Sequence, residues 1–197
     1  MSPAVVLSPA ERRPRRADAR RNYDRLLDAA REAVATHGAD ASLDDIARRA
    51  GVGSGTLYRH FPSRSALLEA VFHDQVAALL EQANALTGTE DPGAALDRWL
   101  QAVLQHSIRY RGLAASLKAA ESGWCHATMR TAADELVERA KATGTVRPEV
   151  TGSDLLKIIN GLALANLECA DADASSARML GYVLAGLRPP GRPQLSS

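Results

Sequence analysis

The chain predicts an all-α fold, and three observations carry that prediction. Ala, Leu and Arg, all strong helix formers, are abundant, whereas aromatics make up only 4% of the 197 residues and no long β-branched run competes. Apolar residues recur at helical spacing within segments punctuated by Gly, Pro and Ser. At 46% hydrophobic and 24% charged, the chain has the apolar surface for one large domain or two small ones.

Residues 1–21 hold Pro3, Pro9, Pro14 and the pairs Arg12–Arg13, Arg15–Arg16 and Arg20–Arg21. Such a segment reads as a solvated arm or as one that meets phosphates when DNA binds. Asn22 is placed to cap a first helix with Leu26, Leu27, Ala30 and Val34 on one face, ending near Gly38. Ser42, with Asp45 three residues on, opens a second helix that turns Leu43, Ile46, Ala47 and Ala50 inward and stops at Gly51. A third, short helix covers about Ser54 to His60. Pro62 breaks the chain, and Ser63 caps a fourth helix running to about Ala85. After the loop Thr87–Gly93, helices are expected at about 93–111, 113–121, 124–142, 152–170 and 173–187. Their breaks are Gly112, Ser122–Gly123, Gly144–Thr151 and Asp171–Ala174. The implied organisation is an Arg-rich arm (1–19), an N-terminal three-helix domain (20–80), a larger helical domain (81–188) and a Pro-rich tail (189–197).

Charge follows that division. Residues 1–65 carry 12 Arg and 8 acidic residues, while the remainder carries 12 basic and 15 acidic residues. A polyanion is therefore expected at the N-terminal end. Cys125 and Cys169 lack CxxC spacing and read as reduced, buried small hydrophobes. The apolar run Ala4–Leu7 is too short for a signal-peptide core, and nothing approaches the length of a membrane span. A cytoplasmic location without a membrane partner is the expectation.

The segment from Ser42 to Phe61 meets the requirements of a helix-turn-helix. Gly51 permits a tight left-handed turn, Val52 plugs the gap behind it, and Ala47 lets the two helices cross closely. The second helix of the pair then presents Ser54, Gly55, Thr56, Tyr58, Arg59 and His60 outward, with Leu57 and Phe61 as anchors. It has no acidic residue and so can enter a major groove without charge repulsion. Gly51-Val-Gly-Ser-Gly-Thr56 also has the look of a phosphate-cradling loop, but it lacks the GK[ST] ending and follows a helix rather than a strand.

Leu57-Tyr58-Arg59-His60-Phe61, followed by Ser63-Arg64 and Ala66-Leu67-Leu68, resembles the signature of the TetR family of bacterial repressors. The resemblance covers about residues 22–72; beyond it the chain is similar in length and helical layout, and at its end. It implies that Ser42 holds a phosphate, that Ser54, Thr56 and Tyr58 meet phosphates or base edges, and that Arg59 and His60 meet base edges or backbone. Arg64 stands where the family usually has a phosphate-binding Lys. Gly55 adds no base-reading side chain. The resemblance further implies a homodimer through the helices at about 152–170 and 173–187, paired as a four-helix bundle. It also implies a double-stranded DNA operator and a small-molecule effector that releases the protein from it.

Independently, the helix at 152–170 is apolar nearly all round, which calls for cover on two sides; a partner subunit supplies it. Asn160 and Glu168 interrupt that surface, as register or ligand groups. Trp99, Val103, His106 and Tyr110 form one stripe and read either as core or as a pocket wall, with Trp124 and Met129 as a second wall. His106 and His126 lack supporting ligand spacing for a metal, and no nucleophile elbow or HExxH is present, so neither cofactor nor catalysis is expected. A helical adaptor that binds only protein fits less well with an acid-free outward face. The coupling route between effector and DNA is expected to be the fourth helix, Ser63–Ala85.

Overall fold

A computed structural model describes residues 14, 16–88, 91–110, 113, 119–166 and 171–189. Among them are eight α-helices and no strand: α1 (Ala17–His37), α2 (Leu43–Arg49), α3 (Ser54–His60), α4 (Arg64–Leu86), α5 (Pro92–Arg109), α6 (Ala119–Ala142), α7 (Gly152–Ala165) and α8 (Ala172–Leu187). A 3₁₀ turn, Gly38–Asp40, joins α1 to the segment before α2. The chain divides into two compact units, one of residues to Ala77 with Tyr110–Cys125, the other of Ala78–Arg109 with His126 onward.

In the first unit, α1 packs on α2 and α2 on α3. Tyr23, Leu26, Leu27, Ala30 and Val34 recur on one face of α1 and are buried with Ile46, Leu57, Phe61 and Leu67. Each large side chain among them withdraws apolar area worth about 1.5–3 kcal/mol. Arg31 on α1 reaches Asp74 on α4 at 3.2 Å. The helix begins more than a turn before the expected Asn22 cap. Ala17, Ala19, Arg20 and Arg21 are good helix formers, and Asp18 in the first turn complements the helix dipole and pairs with Arg21. Asn22 instead accepts a hydrogen bond from Arg25 Nη2 at 2.6 Å.

In the second unit, α5 packs on α7 and α8, which also pack on each other. Asp91 Oδ1 accepts from Ala94 N–H at 2.9 Å and starts α5, with Pro92 in its first turn. Ala95, Leu96, Trp99, Leu100, Val103 and Leu104 face inward. The expected break at Ser122–Gly123 is absent: α6 runs through both residues, since one glycine costs a helix only about 1 kcal/mol. Thr151 caps α7 by accepting from Asp154 N–H at 3.1 Å. Helix α7 ends at Ala165, five residues before the expected end, and 167–170 fall outside the described residues. Asn166, at its C-cap, donates to Leu162 O at 2.9 Å and to the buried Ser176 Oγ at 3.0 Å. Arg188 closes the end of α8 on α5 by an ion pair with Asp97 at 2.5 Å. Most of the expected helix at 113–121, and the arm before Pro14, also lie outside the described residues, as does Cys169; Cys125 is buried. No helix among the described residues is long and apolar enough to cross a membrane.

Candidate nucleic-acid interface

Local chemistry sets the α2–α3 pair. Ser42 Oγ accepts from Asp45 N–H at 3.3 Å and caps α2; Asp45 turns its carboxylate to Arg48 at 2.7 Å instead of back to the cap. At the other end Gly51 has φ of 66°, which a side chain adopts only at a cost. Its N–H donates to Arg48 O at 3.1 Å, and Val52 N–H donates to Ala47 O at 3.0 Å, the paired bonds of a Schellman ending. Half-buried Val52 then covers the junction, and α3 starts at Ser54 as the spacing predicts.

Leu57 and Phe61 are buried and hold α3 in place. Ser54, Gly55 and Arg59 are exposed, Thr56 is partly so, and Tyr58 is 49% exposed, which removes a core role for it. A Cβ at Gly55 would meet nothing within 4 Å, so this stretch of α3 is bare backbone. Arg48 and Arg49 on α2 are exposed, and α3 has no acid in its first turn. The face therefore offers hydroxyls, an aromatic ring and guanidinium groups in one place.

Two expected contact residues sit differently. His60 is only partly exposed: its ring lies edge-on to Tyr23 at 6.0 Å and near Phe61 at 6.4 Å. Among the described residues its buried Nε2 has no hydrogen-bond partner. Burial, and then the charge of Arg59, hold its pKa below the ordinary histidine value, so the neutral ring is an extension of the core at neutral pH. Arg64, the first residue of α4, donates from Nη1 to Ala39 O at 3.0 Å and to Ala41 O at 2.5 Å. Two further residues escape sequence reasoning. Tyr23 follows the periodicity of α1 once the helix starts at Ala17, and Arg25 Nη1 lies 3.6 Å from where a Cβ on Gly51 would stand.

In the second unit Trp99 is fully buried, and its indole N–H donates to Leu79 O at 2.9 Å. Val103 and Met129 are buried too, and so is Tyr110 in the first unit. For Trp99, the core reading that the stripe left open has a complete structural account. Burial lowers the His106 pKa to about 4, which keeps that ring neutral at pH 7. The side chain of Trp124 lies outside the described residues. An open depression of about 570 Å³ is lined instead by Thr87, Thr131, Asp134, Glu135, Glu138 and Arg139. No three His, Cys, Asp or Glu among the described residues are grouped to hold a metal.

Helices α7 and α8 leave large apolar side chains in water: Ile158 at 40%, Leu164 at 61% and Tyr182 at 70% exposure. Gly161, Gly181 and Gly186 on the same two helices have open space where a Cβ would be. Asn160 is exposed and meets Ser107 Oγ at 3.4 Å; Glu168 lies outside the described residues.

Residues 26–71 match the family model for bacterial regulatory proteins of the tetR family, and residues 91–189 match that for the C-terminal domain of SbtR-like transcriptional regulators. The chain is 38% identical over 77 residues to the uncharacterized HTH-type transcriptional regulator YvdT of Bacillus subtilis, a match spanning 38% of this chain and 40% of the relative. It is 38% identical over 107 residues to the HTH-type transcriptional repressor LfrR of Mycolicibacterium smegmatis, spanning 53% of this chain and 51% of that one. The chain thus spans about half or less of these curated relatives. Among solved structures, the TetR transcriptional regulator SCO0520 from Streptomyces coelicolor superposes with a TM-score of 0.73 at 35% identity, covering 86% of this chain and 99% of that one. With a reading pair held by Ser42, Gly51, Leu57 and Phe61, and these matches at both ends, this chain belongs to the TetR family of bacterial transcriptional regulators.

Proposed function

We propose that this protein binds a near-palindromic double-stranded DNA operator as a homodimer, represses transcription from it, and leaves it when a small molecule binds the C-terminal helices. The observation that carries the reading is α3: an exposed, acid-free helix fixed from below by buried Leu57 and Phe61. In this reading residues 20–80 hold the DNA, 81–188 sense and dimerise, and one short reading helix per chain makes a second copy necessary for a full site.

Ser42, Thr56 and Tyr58 grip phosphates, while Arg59, with Ser54, reads base edges. Neutral, inward-leaning His60 sets the tilt of α3 more than it touches bases. Gly55 leaves room for close approach of the sugar–phosphate backbone. Specificity then owes much to DNA shape and half-site spacing. The repressor role is supported by the likeness to LfrR, itself called a repressor. Effector binding draws on candidate lining in the second unit, Val103, His106 and Met129, and it acts only through different affinities for the two dimer geometries. The route between them is α4.

Variants test the reading face. Ser42→Ala is expected to weaken binding to every duplex by about tenfold, through the lost cap and phosphate bond together. Arg59→Ala is expected to cost about 1–3 kcal/mol on the operator and to relax preference at one base position per half-site. Fluorescence anisotropy on operator and mismatched duplexes checks both. Parental affinity in both variants would mean that this face does not hold the DNA.

A further inference from the structure

Arg64 is exposed and cationic at the head of α4, which on charge alone suits it to bind a phosphate directly. Its hydrogen bonds point elsewhere. One guanidinium nitrogen, Nη1, serves two main-chain carbonyls, Ala39 at 3.0 Å and Ala41 at 2.5 Å, lying 25 and 23 residues earlier. Both carbonyls belong to the segment between α1 and α2. The 3₁₀ turn of that segment carries one long bond at its end, Ala41 N–H to Gly38 O at 3.3 Å. Ala41 is buried, and the next residue is Ser42, whose hydroxyl caps α2 at 3.3 Å.

From this arrangement we infer that Arg64 is a positioning residue, a strut that ties the start of α4 to the turn before α2 and thereby aims the Ser42 hydroxyl. The inference rests on the DNA-binding reading above and adds to it a role for Arg64 other than a phosphate grip. A charged donor holding two carbonyls fixes the direction of the 41–42 peptide more firmly than the turn can. A displacement of the head of α4 is passed to Ser42 through these two bonds, which lie wholly within the first unit. From α4 the long stem of Arg64 carries Nη1, with its two N–H groups, to both oxygens; a lysine keeps the charge but ends in an ammonium on a shorter reach.

The test uses full-length wild type, Arg64→Lys and Arg64→Gln, with the operator duplex that wild type selects. Affinity is measured across a KCl series, and amide exchange of residues 39–46 is followed without DNA. The strut predicts that Arg64→Lys, with its charge intact, binds about tenfold more weakly, the worth of one hydrogen bond to a charged group. Its salt slope stays at the wild-type value, and its Ala41–Asp45 amides exchange at least about tenfold faster. Arg64→Gln, once circular dichroism shows it folded, exchanges faster still; should it not fold, Arg64→Lys decides alone. Wild-type exchange together with wild-type affinity in Arg64→Lys overturns the strut. So does an Arg64→Gln variant with unchanged exchange and a slope shallower by about 0.9 per protomer, the mark of a lost phosphate contact. If wild type itself selects no DNA, the DNA-binding reading falls, whereas exchange in DNA-free protein decides the strut separately.

Discussion

Replacing Leu164 and Tyr182 together by glutamate is expected to convert the proposed dimer into a monomer that keeps its helices. Leu164 is 61% exposed on α7 and Tyr182 70% exposed on α8, so neither supports the fold of its own chain. The core positions of those helices are others: Leu155, Ile159 and Ala163 on α7, and Ser176, Leu180 and Leu187 on α8. In a dimer packed through this face, every new carboxylate would be buried opposite apolar surface, at several kcal/mol each after relaxation. The dissociation constant is expected to rise by at least about a hundredfold, since every 1.4 kcal/mol is tenfold. Affinity for a full operator would fall with it, because two half-sites would have to be filled independently. Light scattering at micromolar concentration, with circular dichroism on the same sample, reads both outcomes. A double variant that remains dimeric would move the interface to another surface.

Placing alanine at Gly152 is expected to cost the fold far more than the same change at Gly55 or Gly161, where a Cβ would meet nothing within 4 Å. A Cβ at Gly152 would stand 2.6 Å from Asp134 N, 2.6 Å from Asp134 Oδ1 and 2.7 Å from Ala133 C, all on α6. Two of the three atoms are backbone, so no rotamer change relieves the clash. The Gly152 N–H also donates to Asp134 Oδ1 at 3.0 Å, and separating α6 from the start of α7 loses that bond as well. Overpacking of about 1–3 kcal/mol and a lost hydrogen bond of about 1 kcal/mol together give roughly 3 kcal/mol. For a chain of this size that lowers the melting temperature by roughly 6–12 °C. Thermal unfolding followed by circular dichroism measures it, and a melting point within about 1 °C of the parent would contradict the close approach of these helices.

The reading pair is legible in the sequence because its determinants are local. Ser42 caps the helix that follows it, Gly51 ends that helix, and Leu57 and Phe61 are anchors four residues apart, so α3 falls where spacing alone puts it. Determinants that lie far off in the chain are not legible. Nothing near Arg64 in sequence announces that its partners are the carbonyls of Ala39 and Ala41, and a terminal cation reads from sequence as a phosphate grip. His60 looks outward on a helical wheel, yet Tyr23, 37 positions earlier, draws its ring toward the core. Trp99 is open to a core or a pocket-wall reading until its indole meets the carbonyl of Leu79, 20 residues away. Gly152 reads as an indifferent first residue of α7 until α6 lies against it. Breaks and caps mislead where a single residue meets strong neighbours, as at Asn22 and at Ser122–Gly123.

Selection of bound DNA from a random pool tests most directly whether α3 reads DNA from a dimer. Purified wild-type protein at moderate salt is expected to enrich one near-palindromic sequence with half-sites about one helical turn apart, bound with an affinity that falls steeply as salt rises. A pool that emerges without a shared sequence, or binding indifferent to salt, would contradict it.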